Sequence, residues 1–237
     1  MALTEKLTTI ADAIRSKTGK SEAFSLEQMA TEIADMETGG GGITVDDMAT
    51  RSAPVGDITV NAEKIERWAF SYCLGITGVS APNTTQTGAN AFNGCQNIKN
   101  FYLPKAGIIG QNTFYSCHLV KELELPSVYQ LDYGAITAGG GSALEKLDLG
   151  PWLKKTGGTA FSNHKVLTIL ILRRTESIVA LSNVNDFSNT PFAANGTGGT
   201  VYVPSALIET YKTATNWSTL YAAGTCNFVA LEGSEYE

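Results

Sequence analysis

The middle of the chain carries a pattern of apolar positions that returns about every 22 residues. In each copy, two residues separate the first apolar position from the second, and one residue separates the second from the third. The copies are Ile76/Val79/Ala81, Ile98/Phe101/Leu103, Val120/Leu123/Leu125, Leu144/Leu147/Leu149 and Leu167/Leu170/Leu172. Because the last positions alternate with the period of a β-strand, each copy predicts one short strand. Such a strand cannot bury its apolar face alone, so the copies are expected to stack into a parallel sheet.

A second motif precedes every copy of the first and has the form Ala-Phe-x-x-Cys. It lies at residues 69–73, 91–95, 113–117, 135–139 and 160–164, the last two copies being less regular. Its Phe position falls at 70, 92, 114, 136 and 161. A unit of about 20–29 residues with the L-x-x-L-x-L pattern is typical of a leucine-rich-repeat solenoid. The Phe and Cys side chains are expected to fill the core from the wall opposite the sheet.

Cys73, Cys95 and Cys117 occupy one position of the motif, which predicts a buried column of thiols. A small, readily buried side chain at a repeated core position explains them without any chemistry. A metal site or disulfides are the alternatives, because neighbouring repeats lie about 4.7–4.9 Å apart at the sheet. His164 stands at the same position in the fifth copy and is interpreted as a variant of this core position rather than a ligand or base.

The two patterns together resemble the BspA-like class of leucine-rich repeats, which occurs in bacterial surface proteins and in many phage-encoded proteins. Residues 91–104 and 113–126 carry the resemblance most clearly, and it extends over roughly residues 58–231. It implies a mainly β, mixed solenoid, here preceded by a short two-helix module. It does not imply a particular ligand, because members of this class bind many different partners.

Residues 1–37 show the spacing of two amphipathic helices, followed by a glycine linker at 38–42. The apolar seams are Leu3, Leu7, Ile10 and Ile14 in the first helix and Leu26, Met29, Ile33 and Met36 in the second. Two helices of this length are marginal alone in water. They are expected to self-associate, with a trimer favoured, or to dock on another protein; packing on the solenoid or capping it are the alternatives.

Residues 3–19, followed by 26–33, resemble an N-terminal module of phage and prophage tail-associated proteins of Firmicutes. This resemblance implies an attachment segment whose partners are other virion or tail proteins. Residues 43–231 are assigned to the solenoid and its C-terminal cap, in which Trp217 is expected to close the core and residues 226–231 to form a last strand. The acidic tail, 232–237, is expected to protect that edge or to remain mobile.

Composition narrows the classes of function. The net charge of −6 and the pI near 5.0 argue against nucleic acid or an anionic membrane as the main partner. The sequence has no apolar stretch of about 18 residues and no secretion signal, so assembly in the cytoplasm is expected. Zinc-ligand spacing, a nucleophile elbow and a phosphate loop are also missing, so the chain is predicted to be no enzyme and to use no cofactor or metal.

The outward-facing positions of the predicted strands form the candidate ligand surface. One row contains Tyr102, Glu124, Asp148, Ile171 and Tyr202, and the row before it contains Asn100, Glu122 and Lys146. Tyrosines beside carboxylates suit a carbohydrate or protein ligand, because the ring offers contact area and its polar neighbours give direction. Two alternatives are that these residues only keep the sheet soluble or that they contact another subunit. The insertion at 183–200 is a second candidate surface.

These observations favour a phage or prophage virion protein whose repeats bind a host-surface glycan or protein, located in the virion after assembly in the bacterial cytoplasm. One alternative is a bacterial cell-surface adhesin of BspA type. Another is a structural virion component without a ligand.

Overall fold

A computed structural model of the protein describes residues 54–237, so the predicted helices and linker at 1–42 lie outside the described residues. The strands of the apolar pattern pair in parallel, one per repeat. They are β1 (Gly56–Thr59), β3 (Ile76–Ser80), β5 (Asn100–Tyr102), β7 (Glu122–Leu125), β9 (Lys146–Leu149), β10 (Ile169–Leu172), β11 (Gly199–Val203) and β12 (Cys226–Ala230). They form two hydrogen-bonded sheets, β1-β3-β5 and β7-β9-β10-β11-β12, which meet between β5 and β7. The predicted leucine-rich-repeat solenoid is confirmed.

The pairing register keeps equivalent residues of successive repeats side by side. Leu123 lies opposite Leu147, which lies opposite Leu170 and then Val201. All the apolar pattern residues are buried except Phe101, which is partly buried against the same core. The predicted inward phase of every copy is therefore confirmed.

A third parallel sheet, made of two-residue strands, covers another side of the core. It consists of β2 (Lys64–Ile65), β4 (Gln86–Thr87), β6 (Ile108–Ile109) and β8 (Gln130–Leu131). An isolated bridge between Lys155 and Ala180 extends the same pairing into later repeats. Sequence reasoning missed this sheet, although its inward residues Thr87, Ile109 and Leu131 recur at the repeat spacing.

The Ala-Phe-x-x-Cys turns form the remaining side of the stack and are hydrogen-bonded from one repeat to the next. The Phe70 N–H donates to the Ala91 carbonyl at 2.8 Å, and the Phe92 N–H to the Thr113 carbonyl at 3.1 Å. The Phe70 and Phe92 rings stack with centroids 5.3 Å apart. The predicted filling of the core from this wall is confirmed. The four cysteines are buried and are not joined in disulfides.

The insertion at 183–200 contains a sixth copy of this turn rather than an irregular polar loop. A 3-10 helix (Val184–Phe187) places Phe187 beside Phe161, with ring centroids 5.1 Å apart. The Phe161 N–H donates to the Asp186 carbonyl, as earlier Phe residues do to their next repeat. The hypothesis that this segment is a ligand loop loses its basis, because Phe187 and Phe192 are fully buried.

A short cap closes the C-terminal end. It consists of a 3-10 turn (Ser205–Leu207), helix α1 (Ile208–Thr213), helix α2 (Trp217–Ala222) and strand β12. Trp217 is buried and its Nε1 donates to the Val179 carbonyl at 2.7 Å. The predicted roles of Trp217 and of the last strand are confirmed. No helix within residues 54–237 is long and apolar enough to cross a membrane.

Candidate ligand surface

The outward face of the ladder strands brings the predicted surface residues into two rows. Glu124 lies opposite Asp148, which lies opposite Ile171 and then Tyr202. Tyr102 precedes this row on β5, beside Ser80 of β3. Neighbouring rows and strands therefore present these side chains on one surface, as the alternating pattern predicts.

The first half of this surface, which we call the open half, carries its side chains in solvent. Tyr102 is 59% exposed, and Asn100, Glu122 and Glu124 are exposed as well. Asp57, on the terminal strand β1, is also exposed and accepts a hydrogen bond from Thr77 Oγ1 at 2.7 Å. The open half thus combines one large aromatic side chain with an excess of carboxylates.

Two ion pairs cross the surface between repeats. Lys146 Nζ lies 2.5 Å from Glu122 Oε2, and the hydrogen bond that Lys146 donates to Glu122 raises the pKa of Lys146. Arg173 holds Asp148 through Nε at 2.9 Å and through its terminal amino group at 2.8 Å, and the hydrogen bond with Asp148 raises the Arg173 pKa. The negative charge of Glu124 also contributes to raising the pKa values of Lys146 and Arg173.

The second half of the surface, which we call the covered half, differs from the sequence-based expectation at Ile171. This residue has an outward phase, yet it is fully buried. Tyr236 of the acidic tail packs edge-on against Tyr202 with ring centroids 4.8 Å apart, and Lys146 Nζ lies 5.6 Å from the Tyr236 ring centroid. Because Lys146 and Tyr202 stand on the two strands that flank β10, the tail lies across β10 and covers it.

Sequence reasoning missed two residues of this surface, Arg173 and Tyr236. Arg173 follows the ladder pattern by one position and could be found only from its pairing with Asp148 in the preceding repeat. Tyr236 gives no local signal, although two outward isoleucines in one strand, Ile169 and Ile171, are unusual for a face expected to meet water.

The buried polar groups of the core do not form a second site. His164 Nε2 donates to the Ile136 carbonyl and its Nδ1 lies 2.7 Å from Ser142 Oγ, while burial lowers the pKa of His164 to about 4. Cys95 and Cys117 donate to the carbonyls of Phe70 and Phe92 at 2.8 and 3.3 Å. Within residues 54–237, no three His, Cys, Asp or Glu side chains are placed to hold a metal ion.

Parallel strands, a repeat of about 22 residues and an outward sheet face define the class of a leucine-rich-repeat solenoid. Residues 55–168, a little under half of the chain, match the family described as BspA type leucine rich repeat region, in six copies. These residues are therefore similar to the leucine-rich repeats of BspA type. Repeats of this family are typical of non-enzymatic binding proteins.

Two crystal structures are similar to the chain. A leucine-rich repeat protein from Bacteroides ovatus is 18% identical with a TM-score of 0.44, and the match covers 65% of this chain and 52% of that one. The leucine-rich repeat protein of T. pallidum is 21% identical with a TM-score of 0.35, over 54% of this chain and 67% of that one. The chain thus spans about half the length of the B. ovatus protein. No curated protein sequence matches it.

Proposed function

We propose that the protein is a non-enzymatic binding protein of adhesin type, displayed on a bacterial cell surface, and that its partner is a protein or glycan held on the open half of the sheet. The BspA-type repeats support the class. The observation that supports the site is the exposure of Tyr102. Its side chain is 59% exposed, although its backbone is held in strand β5 of the stack. A large ring on a rigid strand gives contact area at a small loss of conformational entropy.

The carboxylates of the open half give the proposed partner its chemistry. Glu122 and Glu124 flank Tyr102 on one side, and Asp57 lies two strands away on the other. Hydroxyl groups of a glycan or cationic side chains of a protein would be met by these acceptors, whereas a polyanion would be repelled. Asn100 adds both a donor and an acceptor beside the ring.

Binding to intact cells and to an array of immobilised glycans tests the proposal. Tyr102→Ala is expected to reduce binding by about tenfold or more, because exposed aromatic side chains at the centre of an interface commonly dominate affinity. Tyr133→Ala is the matched control, since Tyr133 is 60% exposed but lies away from the outward face. Retention on the array identifies a glycan; loss of cell binding after protease treatment of the cells identifies a protein. Equal binding by both variants would refute the site.

An intersubunit role for the same face makes a different prediction. In that case Tyr102→Ala lowers the solution mass measured by light scattering, whereas a ligand site leaves the mass unchanged. The phage-tail hypothesis, with residues 1–37 joining copies of the chain into a trimer or docking on tail proteins, stays a prediction, and the matches above give it no support. Comparing the solution mass of the full chain with that of a chain beginning at Ile43 would test it.

A further inference from the structure

The acidic tail follows a defined path back to the sheet. The Leu231 N–H donates to the Val203 carbonyl at 2.8 Å, so β12 pairing continues to the start of the tail. Gly233 then adopts a φ of +76°, and the Ser234 N–H and Oγ both donate to the Leu231 carbonyl, at 3.1 and 2.7 Å. This tight turn reverses the chain, because the left-handed conformation at Gly233 costs glycine little. Tyr236 is thereby directed at the outward face.

Tyr236 occupies a prepared site on that face. Its ring meets the Tyr202 ring at an angle of 71° on one side and lies near the Lys146 ammonium on the other. Ile171, on the strand between those of Lys146 and Tyr202, is fully buried but is not part of the inner core cluster. The floor is apolar, one wall is aromatic and the other is cationic, which is the environment that favours an aromatic ring next to negative charge.

The charges of the two halves of the face also differ in a way that suits this occupant. The covered half has two cations, Lys146 and Arg173, against one carboxylate, Asp148, while Glu122 and Glu124 belong to the open half. The tail carries three glutamates, and Glu232 accepts a hydrogen bond from the Ser205 N–H at 2.8 Å, beside the end of β11. An acidic segment is therefore directed toward the covered half and away from the open half.

We infer that Lys146, Ile171 and Tyr202 form a binding site for an acidic peptide segment that contains an aromatic residue, and that residues 232–237 fill this site in cis. The site adjoins the open half through the ion pair between Lys146 and Glu122, but the inference does not depend on the function proposed for that half. A partner protein with an exposed segment of the same chemistry takes the site by displacing the tail. The outward face then grows from β1 to β11 as one continuous surface.

The tail is suited to such an exchange because it adds little to the inner core. Glu232, Gly233, Glu235 and Glu237 are exposed, and the partly buried Tyr236 makes the ring contacts with Tyr202 and Lys146. A segment tethered by a few residues has an effective concentration in the millimolar range, so a free peptide competes poorly with it. Removing the Tyr236 ring is therefore expected to open the site to a peptide supplied in solution.

Fluorescence anisotropy with a labelled synthetic peptide, Glu-Gly-Ser-Glu-Tyr-Glu, tests the inference on the full chain. Tyr236→Ala is expected to bind this peptide at least about tenfold more tightly than the native chain, because its site is empty. A peptide with Ala in place of Tyr should bind neither protein. Tyr133→Ala, the matched control, should behave as the native chain does. Adding Lys146→Ala to Tyr236→Ala should weaken the regained binding. Equal affinity of the Tyr236→Ala and native chains would overturn the inference.

A second measurement in the native chain does not depend on any variant. Unlabelled peptide at several millimolar should compete with the tail and speed hydrogen exchange at the Leu231 and Ser234 amides, which the turn and the last β-pair protect. The peptide with Ala in place of Tyr should leave both exchange rates unchanged. If the exchange rates of these two amides do not change when the tyrosine peptide is added at these concentrations, the tail is not displaceable.

Discussion

His164 stands at the position that Cys95 and Cys117 occupy in earlier repeats, and it keeps their hydrogen bond. In each case the side chain donates to the carbonyl of the Phe-position residue one repeat earlier: Phe70, Phe92 and Ile136. Burial raises the pKa of Cys95 to about 12 and lowers that of His164 to about 4. Both shifts favour the neutral form, so this column serves packing and is unsuited to nucleophilic or metal chemistry.

The neutral state of His164 predicts a pH-dependent stability. Its pKa is about 4 in the folded chain against 6.5 for an unperturbed histidine, so the unfolded chain binds more protons between these values. The contribution is complete above pH 6.5 and is lost as the pH falls toward 4, by up to about 3 kcal/mol. His164→Cys restores the column residue and should flatten this dependence, although it leaves a cavity that lowers stability at pH 7.

Urea unfolding of both chains at pH 7, 5.5 and 4.5 measures this difference. The two chains share all their other ionisable groups, so the difference between them isolates His164. If both chains lose the same free energy of unfolding between pH 7 and 4.5, His164 is not the origin of the effect.

The burial of individual side chains could be predicted from the sequence where the repeat alone determines their neighbours. The burial of Cys73, Cys95, Cys117 and His164 followed from a shared position in the motif, because equivalent positions of a solenoid have equivalent neighbours. The environment of Ile171 could not be predicted in this way. Its burial depends on the tail, which lies more than 60 residues away in sequence and follows no repeat.

At the scale of elements, the sixth turn shows why the regular spacing misled the interpretation of residues 183–200. Residues 161–163 and 187–189 share the tripeptide Phe-Ser-Asn, but the step between them is 26 rather than 22 residues. Asp186 also replaces the Ala that precedes Phe in the motif. The two-residue strands β2, β4, β6 and β8 were missed for a related reason, since a strand of that length shows no detectable period.

Asp186 anchors the sixth turn to the stack, and its removal is expected to be costly. The fully buried carboxylate accepts hydrogen bonds from the Thr159 N–H at 2.8 Å, from the Ser182 N–H at 2.9 Å and from Thr156 Oγ1 at 2.5 Å. Asp186→Ala leaves several buried donors without an acceptor, so the free energy of unfolding should fall by about 2–5 kcal/mol.

Thermal and urea unfolding of Asp186→Ala should be compared with Asp132→Ala. Asp132 is a more accessible carboxylate two repeats earlier, which accepts a hydrogen bond from Gln130 Nε2 at 2.8 Å. Its loss should cost less than about 1 kcal/mol. Similar losses for the two variants would show that the Asp186 network does not fix the turn.

At the scale of the whole molecule, the described residues form a stack in which each repeat contacts its neighbours. Its stability should therefore depend on repeat stabilities, on the interfaces between them and on the terminal caps. The repeat pattern was sufficient to predict this architecture and its C-terminal closure by Trp217. It was not sufficient to predict the path of the tail. That path depends on the side chains of the surface that the tail crosses, which do not follow the repeat pattern.

Trp217 tests how far the cap supports the repeats. Besides its hydrogen bond to Val179, its ring contacts Phe187, Tyr211 and Phe228 with centroids 5.5–5.7 Å away. Trp217→Ala should cost about 3–5 kcal/mol, because it leaves a large cavity and an unpaired carbonyl. If each repeat is stabilised mainly by its neighbours, the amides of β10, β11 and β12 should lose protection first, while those of β3 and β5 keep native protection. Hydrogen exchange followed by mass spectrometry measures this protection.

Trp152→Ala provides the control, since Trp152 is 61% exposed and its loss should change stability by less than about 0.5 kcal/mol. A graded loss of protection in Trp217→Ala, greatest at the C-terminal repeats, would show that the cap is coupled to the stack through successive interfaces. A uniform loss from β3 to β12 would instead mean that the described repeats unfold as one cooperative unit. In that case displacement of the tail from β10 would also change the stability of β5, which carries Tyr102. The two halves of the outward face could then not bind their partners independently.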